Sequence, residues 1–360
     1  MSAPAAPVCV VDIRDGGPLR HACERAPQAL ALRDACLGFF PPALRSMLPL
    51  LDGAARYWLR RSQSPYVAEI GRIADTLGCS GVWLLNASCH WACTALAREE
   101  DGVPWLARTL DWPFEGLGRH AEVAHMRGAG GDFFSITWPG YVGVLTAMAP
   151  RRFAACLNHA PARRRFSHPW LRPYDYAVNM LSGSLSKGRM PADQLLRQAF
   201  ETCADYRQAR QMLETTPVAR PAIYVLVGCA PGERCVIERT ETGFASREAE
   251  TVAANDWRPM RRGWEGRIGT RQFLRLSLAQ AAGHSRARCE TLALWNGSLA
   301  DCTFAWLREP VLNPYTRLAT TMCPAAGTLC AAGYEVTGST LPEPVTQPLT
   351  IAPVGGLQPL

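Results

Sequence analysis

An α+β fold built on antiparallel sheets is what this sequence predicts. Three observations carry the prediction. A helical pattern comes first, and a long series of strand-like segments follows it through short turns. Helical patterns then return before further strands. Strand and helix therefore do not alternate, as they do in a doubly wound fold.

The first helix is read from Ser64-Pro65, a capping residue followed by a proline suited to the first turn. Val67, Ile70, Ala74 and Leu77 share one face, and Gly78 ends the run. The short apolar segment Val82 to Leu85 fits a strand. Residues 93–97 and 104–110 read as a strand pair joined by the turn-like sequence EEDG at 99–102. Residues 133–138, 141–147 and 153–158 are three further strands, with Pro-Arg-Arg at 150–152 turning the last pair. Residues 192–214 are helical with a break near Asp205. Residues 222–228 and 235–239 pair around Pro231-Gly232, and helix returns at 268–282. Residues 1–18 and about 340–360, rich in Pro, Gly and Ala, are expected to be loose or draped.

Composition bounds the function. The chain has 360 residues, of which 48% are hydrophobic and 19% charged, enough to bury a large core and unlike a disordered tail. The net charge of +7 comes mostly from arginine and suits a solvated basic surface, an anionic substrate or a membrane surface. No apolar run reaches membrane-spanning length, and no secretory signal is visible at the N-terminus. A cytoplasmic, reducing location is therefore expected, with most of the 14 cysteines free. Cys89-His90 beside Cys93 lacks a second ligand pair, so no metal is expected. No other cofactor is expected either. Gly128 to Gly131 is a turn rather than a phosphate loop, and the isolated Arg163-Arg164-Arg165 run does not argue for nucleic acid.

Chemistry concentrates around Cys93. Arg108 and Asp111 follow it by fifteen and eighteen residues, at the far end of the next predicted strand. A hairpin brings that end back beside its start, so a thiol, a guanidinium and a carboxylate meet at one sheet end. The grouping has a use if Cys93 becomes a chain terminus. A free α-amine has a pKa of about 8, and a nearby arginine lowers it further. The amine then serves as the base for its own thiol, and Asp111 orients it. Spacing alone leaves open a structural ion pair between Arg108 and Asp111 beside an ordinary buried thiol.

The segments CTALAR and ARTLDW resemble the nucleophile region of the acid ceramidase and N-acylethanolamine-hydrolysing acid amidase family, within the N-terminal-nucleophile (Ntn) hydrolases. Four other stretches are similar to that family in the same order: YVAEIGRIADTLG with LLN, PGYVGVLTAMAPRRFAACLN, AIYVLVGCAPGERCVIER and PVLNPYTRLATT. Together they run from about residue 65 to residue 322. The resemblance implies a four-layer αββα sandwich and a self-processing cysteine amidase. Cleavage between Ala92 and Cys93 would divide a helical segment 1–92 from a catalytic segment 93–340, with a tail at 341–360. The two pieces are expected to remain associated. By the same resemblance Cys93 is the nucleophile, Arg108 and Asp111 are its partners, and Asn255 donates to the oxyanion. Arg267, with Arg271 as the alternative, is the late active-site arginine. Asn158, His159 and Tyr141 are placed toward substrate. Cys89 is the fallback nucleophile.

The sequence also departs from that family. His159 stands where the family often has Glu, and the arginine run 163–165 is unmatched, which puts a ceramide or ethanolamide substrate in doubt. An N-acylated small molecule or lipid is the expected substrate class, and the arginines suggest an N-acyl amino acid. An acyltransferase shares every catalytic residue with this reading. A non-catalytic binding relative would remain uncleaved.

Overall fold

The fold is given by a computed structural model, which describes residues 7–38, 42–62, 64–87, 92–175, 178–179, 188–265 and 278–352. Strand β1 (Cys9–Asp12) comes first, then helices α1 (Gly17–Glu24), α2 (Ala26–Gly38), α3 (Pro42–Arg45), α4 (Leu48–Arg61), α5 (Val67–Leu77) and α6 (Val82–Ala87). Seven strands follow: β2 (Ala92–Glu100), β3 (Val103–Asp111), β4 (Glu122–Gly128), β5 (Gly131–Thr137), β6 (Thr146–Ala149), β7 (Phe153–His159) and β8 (Ala162–Arg163). After α7 (Ala192–Thr202) and α8 (Tyr206–Thr215) come β9 (Ala222–Val227), β10 (Arg234–Arg239), β11 (Phe244–Arg247), β12 (Val252–Ala253) and β13 (Trp264–Glu265). The chain closes with α9 (Leu278–Leu294), β14 (Thr316–Cys323), β15 (Thr328–Glu335), β16 (Glu343–Pro344) and β17 (Leu349–Ile351).

Local chemistry explains several boundaries. The β2–β3 hairpin turns on Asp101 and Gly102, both at positive φ (51° and 77°), the geometry of a two-residue hairpin whose twist matches its strands. Gly78 ends α5 in the left-handed conformation. Asp205 breaks the 192–214 helix as predicted, and its carboxylate caps α8 by accepting from the Gln208 N–H. Ser64 does not cap α5, whose N-cap is Tyr66. The Ser64 hydroxyl instead accepts from the Tyr66 N–H at 3.2 Å.

Five expectations need correction. Val82 to Leu85 lies in a helix, α6, packed on α4 and α5. Helical tertiary neighbours override a short apolar run that periodicity alone cannot assign. Residues 141–145 are not strand, since β6 starts at Thr146. The first eighteen residues are not uniformly loose, because Cys9–Asp12 pairs in parallel with Glu122–His125. Near the C-terminus, β16 and β17 both pair with β15. The last predicted helix runs on to Leu294, twelve residues beyond the expected end at residue 282.

Two sheets form the centre. One has strand order β1-β4-β5-β6-β7-β9-β10-β11, antiparallel except for β1. The other runs β12-β2-β3-β14-β15-β16, with β17 also on β15, and is antiparallel throughout. They face one another through β2 and β3 against β7 and β9. Helices α7 and α8 cover the outer face of the first sheet, and α9 covers β2 and β12 of the second. The result is the expected αββα sandwich. Alternation along the strands fills the middle: Cys93, Ala95, Ala97, Leu106 and Leu110 face the other sheet, while Leu96, Trp105 and Ala107 pack on the α9 side.

Candidate active site

The register of β2 and β3 fixes the geometry at Cys93. Cys93 lies opposite Leu110, Ala95 opposite Arg108, and Ala92 opposite Asp111. Arg108 thus projects from the same face of the sheet as the Cys93 thiol. Its Nη2 is 3.0 Å from Cys93 Sγ and 3.0 Å from the Leu157 carbonyl, and Nη1 donates to Thr146 Oγ1. Three strands therefore converge on the sulphur, which is fully buried and lies 3.9 Å from the Leu157 carbonyl oxygen.

Asp111, three residues further on, falls on the opposite face. The thiol, the guanidinium and the carboxylate therefore do not meet as one cluster. Asp111 instead reaches the backbone of Cys93 through an arginine absent from the sequence reading. Arg288, fully buried on α9, gives Nη1 to Asp111 Oδ2, to the Cys93 carbonyl and to Thr94 Oγ1, each at 3.0 Å. Its Nη2 donates to Asn255 Oδ1 at 2.7 Å. Thr316 Oγ1 donates to the other oxygen of Asp111 at 3.0 Å.

Asn255 closes the ring. Its Oδ1 accepts from the Cys93 N–H at 2.9 Å, its backbone N–H donates to Ser285 on α9, and its Nδ2 donates to the His159 carbonyl at 2.8 Å. Asn255 is thus beside Cys93 as expected. In the intact chain, however, its amide donor is engaged with His159 rather than directed at the sulphur.

The other predicted residues divide. Asn158 is buried, and its Nδ2 donates to the Ala253 and Ala254 carbonyls at 3.1 and 3.2 Å, tying β7 to β12. His159 ends β7 beside it. Both line a cleft with Leu157, Trp58, Ala87 and Arg220. Tyr141 is not in that cleft: its hydroxyl donates to Asp193 at 2.7 Å and anchors α7. The arginine run is engaged elsewhere. Arg163 pairs with Glu241, Arg164 is buried between Asp175 and Glu265, and Arg165 lies 3.8 Å from Asp175. It therefore does not form the acidic-group seat suggested above. Arg267, Arg271 and Cys89 lie outside the described residues.

Electrostatics follow the burial. Loss of water pushes the Cys93 thiol up, Arg108 pulls it back, and Asp111 adds to the rise. Burial likewise raises the Asp111 carboxyl, against Arg288 and the hydrogen bonds from Asn313, Thr316 and Thr109. No group of three or more His, Cys, Asp and Glu side chains among the described residues is arranged to hold a metal. Eleven of the described cysteines are free, but Cys302 and Cys330 form a disulfide that the sequence reading did not anticipate. No helix among the described residues is long and apolar enough to cross a membrane.

The buried Cys93, second residue of β2, thus lies inside an αββα sandwich. In sequence the chain is related to the N-acylethanolamine-hydrolyzing acid amidases and the acid ceramidases. It is 28% identical to the amidase of Cavia porcellus over 188 residues, 50% of each chain. It is 26% identical to that of Mus musculus over 275 residues, 72% of this chain and 69% of the relative. It is 30% identical to the acid ceramidase of Homo sapiens over 107 residues, 30% of this chain and 25% of the relative. The chain spans about half the length of the first of these relatives. Among solved structures, the Caenorhabditis elegans amidase ortholog aligns with 65% of this chain and 93% of its own at 20% identity and a TM-score of 0.46. No protein-family model matches the chain.

Proposed function

We propose that the chain is a self-processing amidase acting on an N-acylated small molecule or lipid, with Cys93 as nucleophile. One observation supports this above the rest. The sulphur of Cys93 lies 3.0 Å from a buried guanidinium, while Arg288 and Asn255 grip the same residue's carbonyl and N–H. A structural thiol has no need of three such partners.

In the reading we favour, the Cys93 thiol attacks the Ala92 carbonyl. A C–S bond forms, the C–N bond breaks, and the Cys93 nitrogen becomes a free amine. Water hydrolyses the thioester and leaves a carboxylate on Ala92. The freed amine then takes the thiol proton as the sulphur attacks a substrate amide, and returns it to the departing amine. A second water releases the acyl group. Arg108 stabilises the thiolate. Asn255 is the residue placed to donate to the oxyanion once its hydrogen bonds rearrange after cleavage, a donor of a kind typically contributing about 3 kcal/mol.

The two pieces stay together in this reading, because the N-terminal piece is built into the core. β1 extends the first sheet beside β4, and His21 Nε2, buried on α1, lies 2.5 Å from Glu122 Oε2 on β4. Mass spectrometry of the purified protein tests the proposal. Two co-eluting pieces of about 92 and 268 residues are expected from this cleavage position. Cys93→Ala should remain one chain; normal cleavage of that variant removes the proposal.

A further inference from the structure

The cleft beside Cys93 bears on which amide is cut. Leu157 joins the two: its carbonyl accepts from Arg108 and lies 3.9 Å from the sulphur, while the residue itself lines the cleft. Trp58 and Ala87 contribute the wall that belongs to the N-terminal piece, and Asn158 and His159 part of the opposite wall. Arg220 stands between them. Its guanidinium lies over the Trp58 ring at 4.5 Å, and Nη1 is 3.4 Å from the Ala87 carbonyl. Among the described residues lining the cleft, none is Asp or Glu.

We infer that this cleft seats the amine part of the substrate, and that Arg220 selects an amine part bearing a carboxylate, as in an N-acyl amino acid. The inference rests on the amidase reading and names its substrate class. Chemistry argues for the carboxylate. A guanidinium stacked on an aromatic face keeps its N–H edge in one plane, the geometry that matches two carboxylate oxygens. A partly apolar wall strengthens that pairing, and a neutral hydroxyl gains far less from it.

The test uses the processed full-length protein with N-lauroylglycine and N-lauroylethanolamine, which share an acyl chain. The glycine conjugate should show a kcat/KM at least about tenfold higher, through KM, and the advantage should shrink as salt is raised. Arg220→Met should bring the ratio to about one, and Arg220→Lys should keep part of it. A wild-type ratio at or below one overturns the inference without recourse to any variant, as does a ratio that Arg220→Met leaves unchanged. Hydrolysis of the ethanolamide alone sinks only this inference and leaves the amidase reading standing. An uncut chain inert toward both compounds sinks the amidase reading itself.

Discussion

Arg108 and Asp111 approach Cys93 from opposite faces of one sheet: Arg108 touches the sulphur at 3.0 Å, and Asp111 acts on the backbone through Arg288. A three-residue separation along a strand dictates this, because successive side chains alternate. The two residues therefore have separable effects. One acts on the thiol, the other on the framework that holds it.

The thiol effect has a sign in pH. Burial raises the Cys93 pKa and Arg108 lowers it, so the thiolate fraction grows as pH rises above neutral. Chain cleavage followed by gel densitometry should accelerate over the same range. Arg108→Met should slow cleavage and displace the profile to higher pH. An unshifted profile would show that Arg108 does not act on the sulphur.

The framework effect is one of stability. Arg288 and Asp111 are both buried, and removing one partner of such a pair typically costs about 3–5 kcal/mol. Arg288→Met should lose about that much in urea unfolding, and adding Asp111→Asn should restore part of it. The Asp111 carboxyl already titrates above its ordinary value, and losing Arg288 raises it further. Its stabilising protonation is complete below the unfolded pKa and is lost as pH rises through the folded one. The single variant should therefore recover stability on acidification, relative to the parent.

Tyr141 separates a structural from a binding role. Its hydroxyl meets the buried Asp193 at the start of α7. Tyr141→Phe should lower stability by about 1–3 kcal/mol without raising KM. A raised KM at unchanged stability would return Tyr141 to the substrate site.

His284 sits one helical turn before Arg288 on α9. Burial, with a smaller contribution from Arg288, lowers its pKa to about 4. The folded state then holds fewer protons than the unfolded one below pH 6.5, so stability falls as pH drops from there toward about 4. Urea midpoints compared at neutral and acidic pH should show a shallower loss in His284→Leu. Equal slopes in both proteins would exclude His284 as a source of acid sensitivity.

The sequence by itself determined the hairpin that presents Cys93, the other strand pairs around positive-φ turns, the helix break near Asp205 and the layered α+β class. Each of these rests on local rules: alternation, turn residues and helix stops. It also placed Cys93, Arg108 and Asn255 together, because the hairpin and the family resemblance put them near one another. The opposite-face placement of Asp111 follows from the strand period, three residues on from Arg108. Only the tertiary structure decided the rest. Arg288 lies 195 residues from Cys93, on a helix whose C-terminal half no capping signal extended past residue 282. Val82 to Ala87 became helix, and Cys9–Asp12 became strand, because of what packs beside them. Contacts between residues far apart in the chain leave no periodic trace in it, so their partners emerge only when the layers close.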